Sequence, residues 1–93
     1  MVSKPPVTLQ DDWEAALLPW LRRVAAELDV GGVDLDVDRV HEMTGVVAEG
    51  VQRSMAPISA FLVGAAVARG AGLEDACRMV EQVTAADAAP VGS

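Results

Sequence analysis

A chain of 93 residues is long enough for one domain with one modest core. Hydrophobic residues make up 52% of the chain, and this fraction excludes a disordered chain. The core has to be mainly aliphatic, because the only aromatic residues are Trp13, Trp20 and Phe61. The net charge of −7 argues against nucleic acid and against an anionic membrane surface as partners, because binding either one depends on lysine and arginine.

Cysteine usage and the first residues bear on the compartment. Cys77 is the only cysteine, which excludes an intrachain disulfide and is typical of a reducing compartment. The single lysine near the start is not followed by an apolar stretch of the length that a secretory signal has. We therefore expect a cytoplasmic protein.

The first predicted helix follows an extended N-terminal arm over residues 1–7. Thr8, with Asp11 three positions later, resembles a capping box that opens the helix. An apolar stripe at spacings of four and three then predicts a packed helix, with Trp13, Leu17, Leu21, Val24 and Leu28 on it. Pro19 lies within this stripe and predicts a kink near residues 15–19, or two helices that meet there.

The second predicted helix begins after a glycine turn at residues 31–32, which we expect to end helix one through positive φ angles. Asp34 or Asp36 is the expected cap of helix two. Gly45 and Gly50 lie inside the helix, where glycine costs stability, and they predict a close approach by a neighbouring helix.

The third predicted helix has an unusual composition. Pro57 suits its first turn, and the segment that follows, "ISAFLVGAAVA", is apolar nearly all round. Its 11 residues are too few to cross a bilayer, and Arg53 and Arg69 bracket it. Two interpretations remain: a central helix that the other three cover on most sides, or a helix that keeps one face for a second chain.

A short fourth helix is predicted over residues 73–83, with Leu73, Ala76, Cys77, Val80 and Val83 on one face. The sequence thus predicts an all-α, four-helix bundle-like domain over residues 8–86 with a central, mostly apolar third helix. A flexible tail is expected over residues 87–93.

The candidate chemistry is sparse. The acidic run of residues 34–38 fails as a calcium loop, since Arg39 and Gly45 stand where glycine and glutamate are needed, so we expect helix capping and no metal site. His41, with Asp38 one turn back and Glu42 beside it, could frame an acid–base pocket, but no nucleophile signature lies near it. We expect a structural histidine, an inert buried thiol at residue 77, no cofactor and no catalytic residue.

The candidate partner-binding residues are apolar. Trp20 lies next to Pro19 and just off the stripe of helix one. We expect it to pack into the core, and because a small core cannot fully cover a tryptophan, it is also a candidate interface anchor. On helix three, the candidate contact residues are Pro57, Phe61, Gly64 and Ala68.

Four segments together resemble a small actinobacterial domain of unknown function: "DDWEAAL" (11–17), "VDLDVDRVHEM" (33–43), "GVQRSMAPISAFLVGAAVARG" (50–70) and "DACRMV" (75–80). The resemblance covers roughly residues 9–85, and "APISAFLVG" (56–64) is its most specific element. Such domains occur alone or appended to nucleotidyltransferases similar to molybdenum cofactor guanylyltransferases, near formate dehydrogenase maturation genes. No catalytic residues carry over, and this chain contains only the small domain, so we do not expect it to be the transferase itself.

We therefore expect a non-catalytic accessory or adaptor protein in molybdenum cofactor handling or molybdoenzyme maturation. Its expected partner is a guanylyltransferase-like enzyme or a molybdoenzyme, bound through an apolar patch near Trp20 and helix three. Two alternatives stay open. One is a structural homodimer in which helix three packs against its copy through alanine and glycine positions, and the other is a small-molecule-binding domain that uses Asp38, His41 and Glu42.

Overall fold

The computed structural model describes residues 6–88, and every regular element within that range is helical, which confirms the predicted all-α class. A 3-10 turn (Val7–Leu9) and a π-helical turn (Trp13–Leu17) precede four α-helices: α1 (Leu18–Glu27), α2 (Val37–Gly50), α3 (Met55–Ala68) and α4 (Leu73–Ala88). Most of the predicted arm and tail, residues 1–5 and 89–93, lie outside the described residues.

The chain divides into two compact units, with the boundary between Asp38 and Arg39. We describe the two units separately, and the single domain predicted over residues 8–86 stays a prediction. α4 continues to Ala88, beyond the expected helix end at residue 83. The continuation "TAADA" is rich in alanine, the strongest helix former, which accounts for the longer helix.

The first unit is tied together by a contact between its two ends. The Thr8 backbone N–H donates to Asp38 Oδ1 at 3.1 Å, and the Thr8 hydroxyl donates to Oδ2 of the same carboxylate at 2.5 Å. The predicted capping box is therefore wrong, because Thr8 lies in the 3-10 turn and its hydroxyl bonds a residue 30 positions away. Asp38 thereby holds the 3-10 turn to the start of α2.

The helix type changes just before Pro19. In the π-helical turn, the Leu17 N–H donates to the Asp12 carbonyl at 3.1 Å, five residues back. Pro19 then falls at the start of α1, directly after the π-helical turn, and because it has no N–H one backbone hydrogen bond of the continuous helical chain is not made there. The disturbance predicted near residues 15–19 is thus a change from π-helical to α-helical hydrogen bonding, without a gap in the helical chain.

α1 does not end at the glycine pair. Asp29 takes the left-handed conformation with φ 58°, and Val30 N–H donates to the Ala25 carbonyl at 2.8 Å, which closes a Schellman motif two residues before Gly31. Aspartate tolerates this conformation better than most residues, so it ends the helix first. Gly70 (φ 107°) ends α3 in the same way, with Ala71 N–H donating to the Ala66 carbonyl at 3.0 Å.

The second unit contains the core. Its buried apolar side chains come from all three of its helices, and they are Met43 and Val47 of α2, Val63 of α3, and Ala76 and Cys77 of α4. The thiol of Cys77 is completely covered, as expected from its place on the apolar face of α4. The close approach predicted at Gly50 is confirmed, since a Cβ there would lie 2.6 Å from Thr84 Cγ2, whereas Gly45 has no neighbour within 4 Å.

Candidate protein-binding surface

α3 is apolar nearly all round, but the chain covers only one side of it. Ser59 and Val63 are its buried residues, whereas Phe61 is 76% exposed, Leu62 60% and Ile58 50%. The interpretation of this helix as covered on most sides does not describe the exposed half, and a face kept for a second chain stays a prediction. The reason is that only the Ser59–Val63 side packs into the core of the second unit, and the opposite half of the helix is uncharged as well.

A groove runs beside this exposed half, between α3 and α4, and the C-terminal end of α2 contributes to it. Its volume is about 450 Å³. Eight of the lining side chains are apolar and two are hydroxyls: Val47, Val51, Met55, Ile58, Ser59, Leu62, Met79, Val80, Val83 and Thr84. A groove with this lining suits apolar side chains of a ligand or a partner.

The two hydroxyls in the groove are already satisfied. Ser59 Oγ donates to the Ala56 carbonyl at 2.7 Å, and Thr84 Oγ1 donates to the Val80 carbonyl at 2.7 Å, in each case within the residue's own helix. Because these donors are used locally, the groove offers little polar recognition. Whatever binds there has to be recognised by its shape and its apolar surface.

The residues predicted for partner binding on helix three all lie on its solvent side. Pro57, Phe61, Gly64 and Ala68 are exposed, and their spacing of four, three and four places them along one side of α3. They do not line the groove. Besides Ser59, the groove-lining residues of α3 are their apolar neighbours Met55, Ile58 and Leu62, which the sequence analysis did not single out although they repeat at spacings of three and four.

We call the exposed apolar side chains of α3 and α4 the apolar face, and it consists of Met55, Ile58, Phe61, Leu62, Met79 and Val83. No Asp, Glu, Lys or Arg occurs from Met55 to Ala68, so the α3 part of this face carries no charge. Large uncharged apolar surfaces of this kind typically mark interaction sites.

Trp20 belongs to α1, in the first unit, and it is 54% exposed. Its place on the surface is compatible with the predicted anchor role, which stays a prediction. Because Trp20 and the apolar face belong to different units, we treat them as two separate candidate contacts.

An ion-pair cluster around Arg39 joins α2 to α4. The Arg39 guanidinium donates to both carboxylate oxygens of Glu81, at 2.6 and 2.8 Å, and its Nε donates to Glu74 at 2.7 Å. These hydrogen bonds raise the pKa of Arg39 and hold the pKa of the Glu81 carboxyl below its ordinary value. The Arg39 side chain is only 15% exposed, so the cluster forms a structural bridge.

Sequence reasoning missed this bridge. The spacing of four between Glu74 and Arg78 predicts a local pair within the helix, but Arg78 bonds Asp75 and Glu74 bonds Arg39. The partners Arg39 and Glu81 are 42 residues apart, so no local spacing rule could have paired them.

The residues of the alternative ligand site are engaged with other partners or exposed. Asp38 is bonded to Thr8, Glu42 is bonded to Arg39 at 3.2 Å, and His41 is exposed, with its carbonyl accepting from the Thr44 hydroxyl. Across residues 6–88, no three His, Cys, Asp or Glu side chains are grouped so that they could hold a metal ion. Within the same range, no helix combines the length and the apolar character that crossing a membrane requires.

Comparison with protein families decides the relationship of the chain. The model of a domain of unknown function, DUF6457, matches residues 12–91, nearly the whole sequence. The chain belongs to the DUF6457 family. The match extends from the π-helical turn to beyond α4, so both the Arg39 bridge and the apolar face lie within DUF6457. No curated protein and no solved structure matches the chain.

Proposed function

We propose that this protein is a non-catalytic accessory protein that acts through protein–protein contacts, with the apolar face as its main contact surface. The observation that carries the proposal is the side-by-side arrangement of Phe61, 76% exposed on an uncharged helix, and a groove of about 450 Å³ with an apolar lining. A projecting aromatic side chain next to an apolar groove is the kind of feature on which interface energy concentrates.

The titratable groups support a structural role instead of a catalytic one. Arg39 and Glu81 are engaged with each other, Asp38 accepts two hydrogen bonds from Thr8, and the Cys77 thiol is fully covered. The groove itself contains no titratable side chain among its lining residues. Acid–base chemistry needs a titratable group within reach of the substrate, and the groove does not provide one.

The biological setting of the proposal rests on the resemblance described for the sequence. We propose that the partner is a guanylyltransferase-like enzyme or a molybdoenzyme in the cytoplasm. Nothing in the geometry of the apolar face selects a molybdenum enzyme over another protein, so the identity of the partner needs its own experiment.

That experiment is copurification of the tagged chain from its native cytoplasm, with wild type, Phe61→Glu and Ala85→Glu compared. Ala85 is an exposed residue of α4 outside the groove lining, so Ala85→Glu adds the same charge away from the apolar face. Proteins that copurify with wild type and with Ala85→Glu, and that are lost with Phe61→Glu, would support the proposal. The same set of proteins from all three baits would contradict it.

Trp20→Ala tests the second candidate contact in the same experiment. A protein that is lost with Trp20→Ala but retained with Phe61→Glu would assign a separate contact to the first unit. A guanylyltransferase-like enzyme or a molybdenum enzyme among the lost proteins would support the molybdenum setting. If neither kind of enzyme is ever among the proteins lost with Phe61→Glu or with Trp20→Ala, the molybdenum setting is contradicted. The assignment of the contact surface is unaffected by that result.

A further inference from the structure

We infer that the occupant of the apolar face is a second copy of this chain, so that two copies pack α3 and α4 against each other in a symmetric dimer. The inference rests on the proposed function, because it names the occupant of the apolar face. A guanylyltransferase-like enzyme or a molybdoenzyme would then bind the symmetric pair at another surface, and its loss with Phe61→Glu would follow from the loss of the pair. Three properties of the second unit carry it: the shape of the face, its charge and its area.

The shape is self-complementary. Phe61 projects from α3, and the groove lined by Ile58 and Leu62 opens beside it on the same helix. A twofold-symmetric interface needs both features on one patch, because each copy must supply the projection that fills the other copy's cavity. The groove volume of about 450 Å³ has room for an aromatic ring together with neighbouring aliphatic side chains.

The charge distribution does not oppose self-association, although the whole chain carries −7. Residues 1–38 contain eight acidic and three basic residues, whereas residues 39–93 contain six acidic and four basic ones. α3 contributes no charged side chain at all. Two copies that meet along α3 therefore bring no like charges of this helix together, and like charges would weaken their association. The α3 part of the face also has no acidic side chain that would attract a basic partner.

The area is close to what a dimer needs. The six side chains of the apolar face expose 41% to 76% of their surface, and together this amounts to on the order of 600 Å². The exposed residues Ala65 and Ala68 add to it. A standard stable interface buries about 800 Å² per partner. The exposed area of the apolar face is therefore enough for most of one interface, and it is too small for a second partner beside the first.

The test is the molar mass of the purified full chain by light scattering during size-exclusion chromatography, from low micromolar to millimolar concentration. Wild type and Ala85→Glu should approach twice the chain mass of 9.7 kDa as the concentration rises, and Phe61→Glu should stay at one chain mass. Phe61→Ala should raise the dimer dissociation constant about tenfold or more. Circular dichroism checks that each variant remains helical, and Ile58→Glu replaces any variant that does not.

Two results would overturn the inference: a wild-type chain that stays monomeric at the highest concentration, or a dimer that persists in both Phe61→Glu and Ile58→Glu. A mass that grows beyond two chains would also overturn it, because a symmetric pair closes on itself. The proposed function is distinguishable from the inference. A monomeric wild type that still loses a copurifying protein on Phe61→Glu would leave the contact surface in place and assign it to a different protein.

Discussion

The two units of this chain differ in how their apolar residues are used. In residues 6–38 no side chain is buried, and Trp13, Leu17, Leu21 and Val24 of the helical stripe are each half-buried. Among the residues whose burial the structure describes, 6–87, the seven buried ones lie from Met43 to Thr84, in the second unit. The excess of acidic residues is concentrated in the first unit. The difference teaches that the stability of the fold and its apolar contact surface reside in the same three helices.

A helix that serves both purposes has to divide its circumference. α3 gives Ser59 and Val63 to the core and leaves Phe61 and Leu62 outside. We therefore expect the two sides to be separable by mutation, with substitutions on the buried side lowering stability and substitutions on the exposed side changing the proposed association. The predictions below test the contrast between the units, beginning with the largest expected effect.

The largest effect is expected in the core. Met43→Ala, at a side chain with no exposed surface, should lower the free energy of unfolding by about 2–5 kcal/mol, because the mutation removes apolar contacts and leaves a cavity. Leu21→Ala, at a half-buried residue of α1, should cost clearly less. Urea denaturation measures both values. Equal losses at the two positions would contradict the assignment of the core to the second unit.

The close contact between α2 and α4 should make Gly50 intolerant of a side chain. Gly50→Ala should cost about 1–3 kcal/mol, since its Cβ would lie 2.6 Å from Thr84 Cγ2, and turning Thr84 away would break its hydrogen bond to Val80. Gly45→Ala is the matched control. With no neighbour within 4 Å, it should raise stability by about 0.5–1 kcal/mol through helix propensity. Thermal unfolding of the pair would show opposite signs.

The Arg39 bridge should contribute pH-dependent stability. Arg39→Met should lower the free energy of unfolding by about 1–3 kcal/mol at neutral pH, because it leaves the largely covered Glu81 carboxylate without its bidentate partner. Most of the effect should come from Glu81, since Glu74 is 60% exposed and its pairing is screened by solvent.

The sign of the pH dependence follows from the lowered pKa of Glu81, which is caused first by its hydrogen bonds from Arg39. A lowered pKa in the folded state means that the stabilisation is complete above the ordinary carboxyl value of 4.5 and is lost as the pH falls through the folded value. Urea titrations across the acidic range should therefore show a steeper loss of stability for wild type than for Glu81→Gln. Parallel curves would contradict the bridge.

The smallest effect is expected in the first unit. Thr8→Val removes the hydroxyl that donates to Asp38, and it should cost about 1 kcal/mol or less, because the backbone N–H of residue 8 still reaches the same carboxylate. Thr44→Val is a suitable control, since its hydroxyl bonds only the His41 carbonyl three residues away. Hydrogen exchange of the N-terminal turn should increase in Thr8→Val and stay unchanged in the control.

Helices one and four could be predicted because an apolar stripe repeats locally, and helix three could be predicted from Pro57 and the apolar run that follows it. The positions that depend on contacts between distant segments could not. Thr8 was assigned to a local cap, whereas its partner is 30 residues away, and Arg39 was read only against a calcium loop, whereas it bridges to Glu81. Val83 was grouped with Ala76 and Cys77 on one face of helix four, but those two residues are buried, whereas Val83 borders the groove and is 62% exposed.

The candidate surface was predicted in part. The composition of α3 revealed that a helix apolar all round needs more cover than a small chain provides, and Phe61 was singled out for this reason. The groove was not foreseeable, because it arises where Leu62 of α3 and Met79 of α4 come together across a turn. A stripe pattern identifies which residues share a side of one helix, but not what lies across from them.

The most direct test of the central claim is the solvent accessibility of methyl groups, measured by NMR with a soluble paramagnetic probe at low and high protein concentration. The account predicts that the methyl groups of Ile58, Leu62 and Met79 are accessible in the dilute chain and become protected at high concentration. The methyl groups of Leu35, 50% exposed in the first unit, should stay accessible throughout. Protection of Leu62 and Met79 already in the dilute monomer would contradict the account, because the chain would then cover its own apolar face.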